Sequence, residues 1–244
     1  MAESRFSLRL KLPNGDTIPY QLERTTRRTV SLKISADGLV IHAPKRISQT
    51  HLESLLLAKA DWIGKKLAAH KEKAQANKID AIQWQNGEPL LLLGNDISLE
   101  IKQDARNKTL TFATGVLTVM QTNINDTTTI QRKVIQWYQK QAMPDFARRL
   151  EVLSAKLGVA TPQLFLTNAK SRWGSCNNRQ QIRLNWRLML APPHIINYVI
   201  CHELAHLKEM NHSAKFWAVV ASIYPDYKQA EKDLKIWSPQ LHRL

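Results

Sequence analysis

The stretch PPHIINYVICHELAHLKEMNH, residues 192–212, decides how this chain is read. Pro192-Pro193 is a helix entry, because proline is tolerated in the first turn, and Ile196, Val199, Ile200, Leu204 and Leu207 recur at helical spacing. A helix advances about 100° per residue, so His202 and His206, four apart, lie one turn above each other. Both imidazoles can aim at one ion, about 2.0–2.1 Å from each nitrogen. Glu203 cannot join them as a ligand. It projects beside the pair, where a carboxylate could take a proton from a zinc-bound water and later deliver it to a leaving amine. Three protein ligands leave a fourth position open, which separates a catalytic zinc from a structural one.

His212 is the nearest histidine that could return as third ligand. Asn211 tolerates the left-handed conformation that ends many helices, so the expectation is a helix stop at Met210-Asn211-His212 with the ligand just beyond. The spacing matches HExxHxxGxxH, but Glu209 stands where that pattern has glycine. Phe216 and Trp217 are expected to pack behind His212, while His194 and His242 are expected on the surface.

At 244 residues and 43% hydrophobic, the chain can bury one large core or two small ones. It contains no apolar run long enough for a membrane span, and MAESRFSLRL lacks the layout of a signal peptide, so no membrane contact and a cytoplasmic location are expected. Two cysteines, Cys176 and Cys201, make no disulfide framework and no CxxC pair, and each reads as a small buried thiol. The net charge is +15, with +7 in residues 1–80 and +8 in residues 81–244. Such a field suits nucleic acid or acidic partners through a basic surface, without sequence information. Arg24, Arg27, Arg28 and Lys33 could form a basic rim, although alternation along a strand would split Arg27 from Arg28.

From Phe6 to Ala43, short apolar runs are broken by Pro13-Asn14-Gly15-Asp16 and Ala36-Asp37-Gly38, a pattern of strands and turns. Thr50-His51-Leu52-Glu53 has the form of a capping box, opening one helix through Leu67. Lys65–Lys78 reads as its solvated end or a linker. A meander of hairpins is expected from Ile82 to about Gln121, then a long helix from Ile130 to Leu157, bent or interrupted by Pro144 and stopped at Gly158. Strands near Gln163–Thr167 and Gln181–Met189 flank the turn-like SRWGSCNN. No internal repeat stands out. The fold class expected is α+β, with a β-rich part over residues 1–124 carrying one helix and a helix-rich catalytic part over 125–244.

Within SRWGSC, the glycine permits a tight or positive-φ turn, and Arg172, Trp173 and Ser175 could line a groove or hydrogen-bond a ligand histidine. Asn185 is a candidate partner for a ligand. Tyr198, Tyr224 and Tyr227 are the candidates for donating a hydrogen bond to an oxyanion, and the sequence does not choose among them.

SRWGSC at 171–176, LNWRLMLAPPHIINYVICHELAHL at 184–207 and NHSAKFW at 211–217 together resemble the YgjP-like metallopeptidase family. RTTRRTVSLKI at 24–34 and DWIGKKL at 61–67 fit the same family, and a more distant similarity extends to SprT/Wss1/Spartan-like metalloproteases. The resemblance implies a zincin-like catalytic part, one Zn2+ per chain on His202, His206 and His212, Glu203 as general base, and Arg172–Cys176 near the cleft. The expected activity is zinc-dependent hydrolysis of a protein or peptide substrate. Its rivals are a basic nucleic-acid-associated protein with a structural zinc, a protease recruited to DNA-bound proteins, and an amidase acting on a small substrate. The oligomeric state is not legible.

Overall fold

A computed structural model describes residues 8–11, 17–26, 28–35, 38–76, 80–106 and 109–244, with side chains omitted at 70–76. The turn at Pro13–Asp16, the residues Ala36-Asp37, and Arg27 lie outside the described residues. The architecture is α+β, and the chain divides into two compact units, Met1–Lys78 and Ile79–Leu244.

In the first unit, β1 (Leu8–Lys11), β2 (Thr17–Thr25), β3 (Ser31–Ser35) and β4 (Gly38–Pro44) form a sheet in the order β1-β2-β4-β3. The outer pairs are antiparallel and β2 runs parallel to β4. Alternation along β4 buries Leu39, Ile41 and Ala43 against Leu52, Leu56 and Ile63 of the helices that follow. Two helices occupy the place of the single one expected, α1 (Gln49–Leu57) and α2 (Ala60–Ala76). The capping box is displaced as well. Ser48 is the cap, accepting from the His51 N–H at 3.2 Å, which places Thr50 inside the first turn. Arg24 donates to the backbone oxygens of Lys45 and Ile47 and so ties the strand end to the loop entering α1.

The second unit opens with β5 (Pro89–Leu92), β6 (Asn95–Gln103), β7 (Leu110–Ala113) and β8 (Val116–Gln121), in the order β5-β6-β8-β7. This is not the meander expected. The two hairpins are joined by parallel pairing of β6 with β8. The order and sense of pairing repeat those of the first unit.

Helix α3 (Thr127–Leu157) runs unbroken through Pro144. Ile130, Val134, Tyr138, Ala142, Phe146 and Leu150 form one buried stripe at a spacing of four, and Gly158 closes the helix at φ 70°. The second sheet and α3 share one hydrophobic core with the C-terminal helices, so position 125 falls inside the second unit. A three-stranded sheet, β10-β11-β9, follows from β9 (Gln163–Thr167), β10 (Gly174–Cys176) and β11 (Gln181–Asn185). β11 is shorter than expected. The Asn185 side chain accepts the Arg187 N–H at 3.1 Å and turns the chain into a 3-10 turn, Trp186–Leu190. Helices α4 (Pro193–Ala205), α5 (Ala214–Ile223) and α6 (Tyr227–Leu241) complete the unit. No helix among the described residues is long and apolar enough to cross a membrane.

Candidate metal centre

Helix α4 is anchored before it begins. Leu93 N–H donates to Met189 O at 2.7 Å and Gly94 N–H to Leu190 O at 3.1 Å, so the β5–β6 turn is bonded to the 3-10 turn that feeds α4. Gly94 has φ +82°, and a Cβ there would stand 2.7 Å from Pro192 Cγ. Only glycine meets both conditions.

Along α4, Ile195, Ile196, Val199, Ile200 and Leu204 are buried, and at its C-terminal end His202 and His206, one turn apart, are partly exposed. The helix ends earlier than expected, at Ala205, with His206 as its C-cap. Asn211 is not left-handed. Its side chain accepts the Ser213 N–H at 3.2 Å, an Asx turn that starts α5 and leaves His212 facing back toward α4. One nitrogen from each of His202, His206 and His212 lies within 4.8 Å of the others, the group among the described residues able to hold a metal ion.

The donor set fits a metal. His206 Nδ1 pairs with Glu209 O at 3.2 Å, which leaves Nε2 free, and the Nε2 atoms of His202 and His212 converge to 3.0 Å. Burial pushes His202 down to about 4, reinforced by the two neighbouring imidazoles, and burial also lowers His206, so both rings are neutral at pH 7 as ligation requires. Phe216 is fully buried with its ring 4.6–4.9 Å from all three imidazoles, as expected of a residue packed behind them. Trp217 lies beside His202 and His212.

Glu203 is buried, with 6% of its surface exposed. Burial pushes its pKa up to about 7, against the Arg172 charge and the Cys176 backbone N–H, which lower it. It borders an open cleft of about 230 Å3 together with Trp173, Gly174, Tyr198, Val199, His202 and Leu234. A larger cavity, about 460 Å3, is lined wholly by the first unit, including Arg28, His51, Lys59 and Trp62, and carries no carboxylate. Chemistry rather than size picks out the cleft at Glu203.

The remaining expected residues separate. Arg172 is exposed but acts electrostatically on Glu203, and Trp173 lines the cleft. Gly174 has no positive φ and lies in β10, so its role is space and not a turn. Ser175 is half-buried in the same strand. Asn185 spends its amide on Ala169 O at 2.8 Å and Arg172 O at 3.4 Å, pinning the loop before β10 and not a ligand histidine. Tyr198 faces the cleft. Tyr224 donates to His194 O at 3.1 Å, and Tyr227 stacks on Trp217 at 5.3 Å. His194 pairs with Asp233 at 2.9 Å. Cys201 is buried and its thiol is pushed up to about 12, whereas Cys176 is half-buried and raised by burial and by Glu203.

Helix α6 supplies what the sequence did not point to. Leu234 closes one side of the cleft, Glu231 raises the pKa of His202 through its charge, and His242 just beyond the helix stacks on Trp173 at 4.5 Å. These contacts join residues 29–69 positions apart, beyond any local motif.

Paired imidazoles on one helix turn, a third from the next loop, and a buried carboxylate at a cleft form a set of groups suited to metal-assisted hydrolysis. Residues 28–236 match the YgjP-like, metallopeptidase domain family, and the chain belongs to it. Membership of a metallopeptidase family implies a catalytic metal. A curated relative, the UTP pyrophosphatase of Escherichia coli (strain K12), is 29% identical over 96 residues, 39% of this chain and 54% of that protein, so the chain spans about half the length of the relative it matches. Among solved structures, the chain is similar to the metallopeptidase zymogen abylysin of Pyrococcus abyssi, with 25% identity, TM-score 0.35, and 37% of this chain and 92% of that one covered. The zymogen jannalysin of Methanocaldococcus jannaschii gives 22% identity, TM-score 0.33, and the same two coverages.

Proposed function

We propose that this protein is a zinc-dependent peptidase in which His202, His206 and His212 hold one Zn2+ and Glu203 is the general base. The observation that carries the reading is the convergence of three imidazole nitrogens within 4.8 Å beside a buried carboxylate at an open cleft. When bound, zinc with three protein ligands supplies Lewis acidity and lowers the pKa of water toward 7. Glu203 takes a proton from the attacking water and returns it to the leaving amine nitrogen, work that a buried carboxylate at the cleft can do. Tyr198 is the tyrosine whose ring lines the cleft, so it is assigned as donor to the oxyanion. An open cleft favours an extended peptide over a small amide in a closed pocket.

The test is metal content by elemental mass spectrometry on wild type, His206→Ala and His212→Ala, with hydrolysis of a mixed peptide library by wild type and Glu203→Gln. About one zinc per wild-type chain, lost or weakened in both histidine variants, with cleavage abolished by Glu203→Gln, supports the reading. Zinc-free wild type, or full activity in Glu203→Gln, overturns it.

A second reading is favoured by the curated relative and by the exposed Arg172 cation beside Glu203. The same residues would then hydrolyse a nucleotide phosphoanhydride, with Arg172 meeting the phosphates. Pyrophosphate release from UTP without peptide cleavage would place this reading first.

A further inference from the structure

A Cβ built on Gly174 would stand 2.5 Å from Glu203 Oε1, 2.7 Å from its Cγ and 2.8 Å from its Cδ. Real Cβ atoms do not approach other atoms so closely. The Gly174 backbone is one that any residue can adopt, so glycine is demanded here by space alone.

Of the two partners it is the carboxylate, at the end of a flexible side chain bordering the cleft, that would have to shift. Glu203 is 6% exposed, and on the far side of Gly174 strand β10 is fixed to β11 by the pairings Gly174↔Leu184, Ser175↔Arg183 and Cys176↔Ile182. β11 is in turn paired with β9, and the Asn185 N–H donates to Trp173 O at 2.8 Å, immediately before Gly174. The missing side chain therefore defines a seat whose floor is a tethered strand and whose occupant is the base.

We propose that Gly174 is a positioning residue that seats the Glu203 carboxylate by presenting bare backbone to it. The proposal rests on Glu203 acting as the base and assigns a role to a residue with no side chain of its own to offer substrate or metal. Gly174→Ala pushes the carboxylate off its position without altering the three imidazoles. A misplacement near 1 Å of a catalytic group costs about 100-fold in rate. The expected result is a fall in kcat of about that size, with KM and zinc content close to wild type.

A four-protein comparison of Tm separates this from a general structural role: wild type, Gly174→Ala, Glu203→Ala and the double variant. Gly174→Ala should lower Tm when Glu203 is present. With Glu203→Ala the space is vacant, and Gly174→Ala should leave Tm unchanged or raise it, because alanine restricts the unfolded chain. An equal Tm loss in both backgrounds, or an unchanged kcat in Gly174→Ala, overturns the proposal. If wild type hydrolyses nothing supplied, the peptidase reading fails on its own account, and the Tm comparison alone decides whether Gly174 seats Glu203.

Discussion

Replacing Glu203 by glutamine should change how the metal-free protein responds to pH. Burial lifts this carboxyl from its ordinary 4.5 to about 7, so the fold disfavours the ionised form. The linkage has a definite sign. Below about pH 4.5 the group is protonated in both folded and unfolded chains and costs nothing. Between about 4.5 and 7 the unfolded chain ionises and the folded one does not, so stability falls as pH rises, and above about 7 the loss is complete. The difference in pKa corresponds to roughly 3 kcal/mol. With 6% exposure, there is little solvent screening to reduce it. His202, held down to about 4, gives the opposite slope below about 6.5, but it is common to both proteins and cancels on comparison. Urea unfolding in excess chelator, at steps from pH 4.5 to 8, gives the assay. The stability of Glu203→Gln minus that of wild type should grow by roughly 3 kcal/mol across that window. Parallel curves would show that the carboxyl is not held in a desolvated seat, and the account of its basicity would fall with them.

Tyr198→Phe should lower kcat by on the order of 100-fold or more if its phenol meets the oxyanion, whereas Tyr224→Phe should leave kcat near wild type because its hydroxyl is spent on His194 O; equal effects would refute the assignment. Gly94→Ala, strained by φ +82° and crowded by Pro192, should cost about 1–3 kcal/mol in chemical unfolding, and a neutral result would mean the turn does not brace α4. Phe216→Ala should cost about 3–5 kcal/mol and weaken zinc retention against a chelator, since one buried ring backs all three imidazoles; unchanged retention would separate packing from ligation. If the +15 charge recruits the protein to DNA-bound substrates, duplex DNA should accelerate cleavage of a DNA-binding protein at low salt and lose that effect as salt rises. A rate indifferent to DNA would leave the charge as a solvated surface.

The histidines were legible because they are local. His202 and His206 share one helix face, and His212 follows within six residues, so helical geometry alone brings two of the three together. The route of the loop was less legible: Asn211 could cap a helix in the left-handed region or accept from the next helix, and sequence offers both. The apolar stripes of α3 and α4 were read correctly because burial imposes a period of four or less on a helix. Parallel pairing of β6 with β8, and of β2 with β4, was hidden, since strand alternation reports which face is buried and not which strand lies alongside. Leu234 and His242 were missed for the same reason, as nothing near them in the chain marks them as neighbours of Trp173 and Glu203.

The contrast between three imidazoles gathered from eleven consecutive positions and a glutamate, the proposed base, packed against a strand about thirty residues away bears on how related sequences are to be interpreted. Any descendant that keeps HELAH and the later histidine but carries a side chain at position 174 retains every group a motif search scores, and loses the space its glutamate needs. On the proposed roles such a chain would keep its metal and work about 100-fold more slowly, through one codon outside the signature by which peptidases are ordinarily counted.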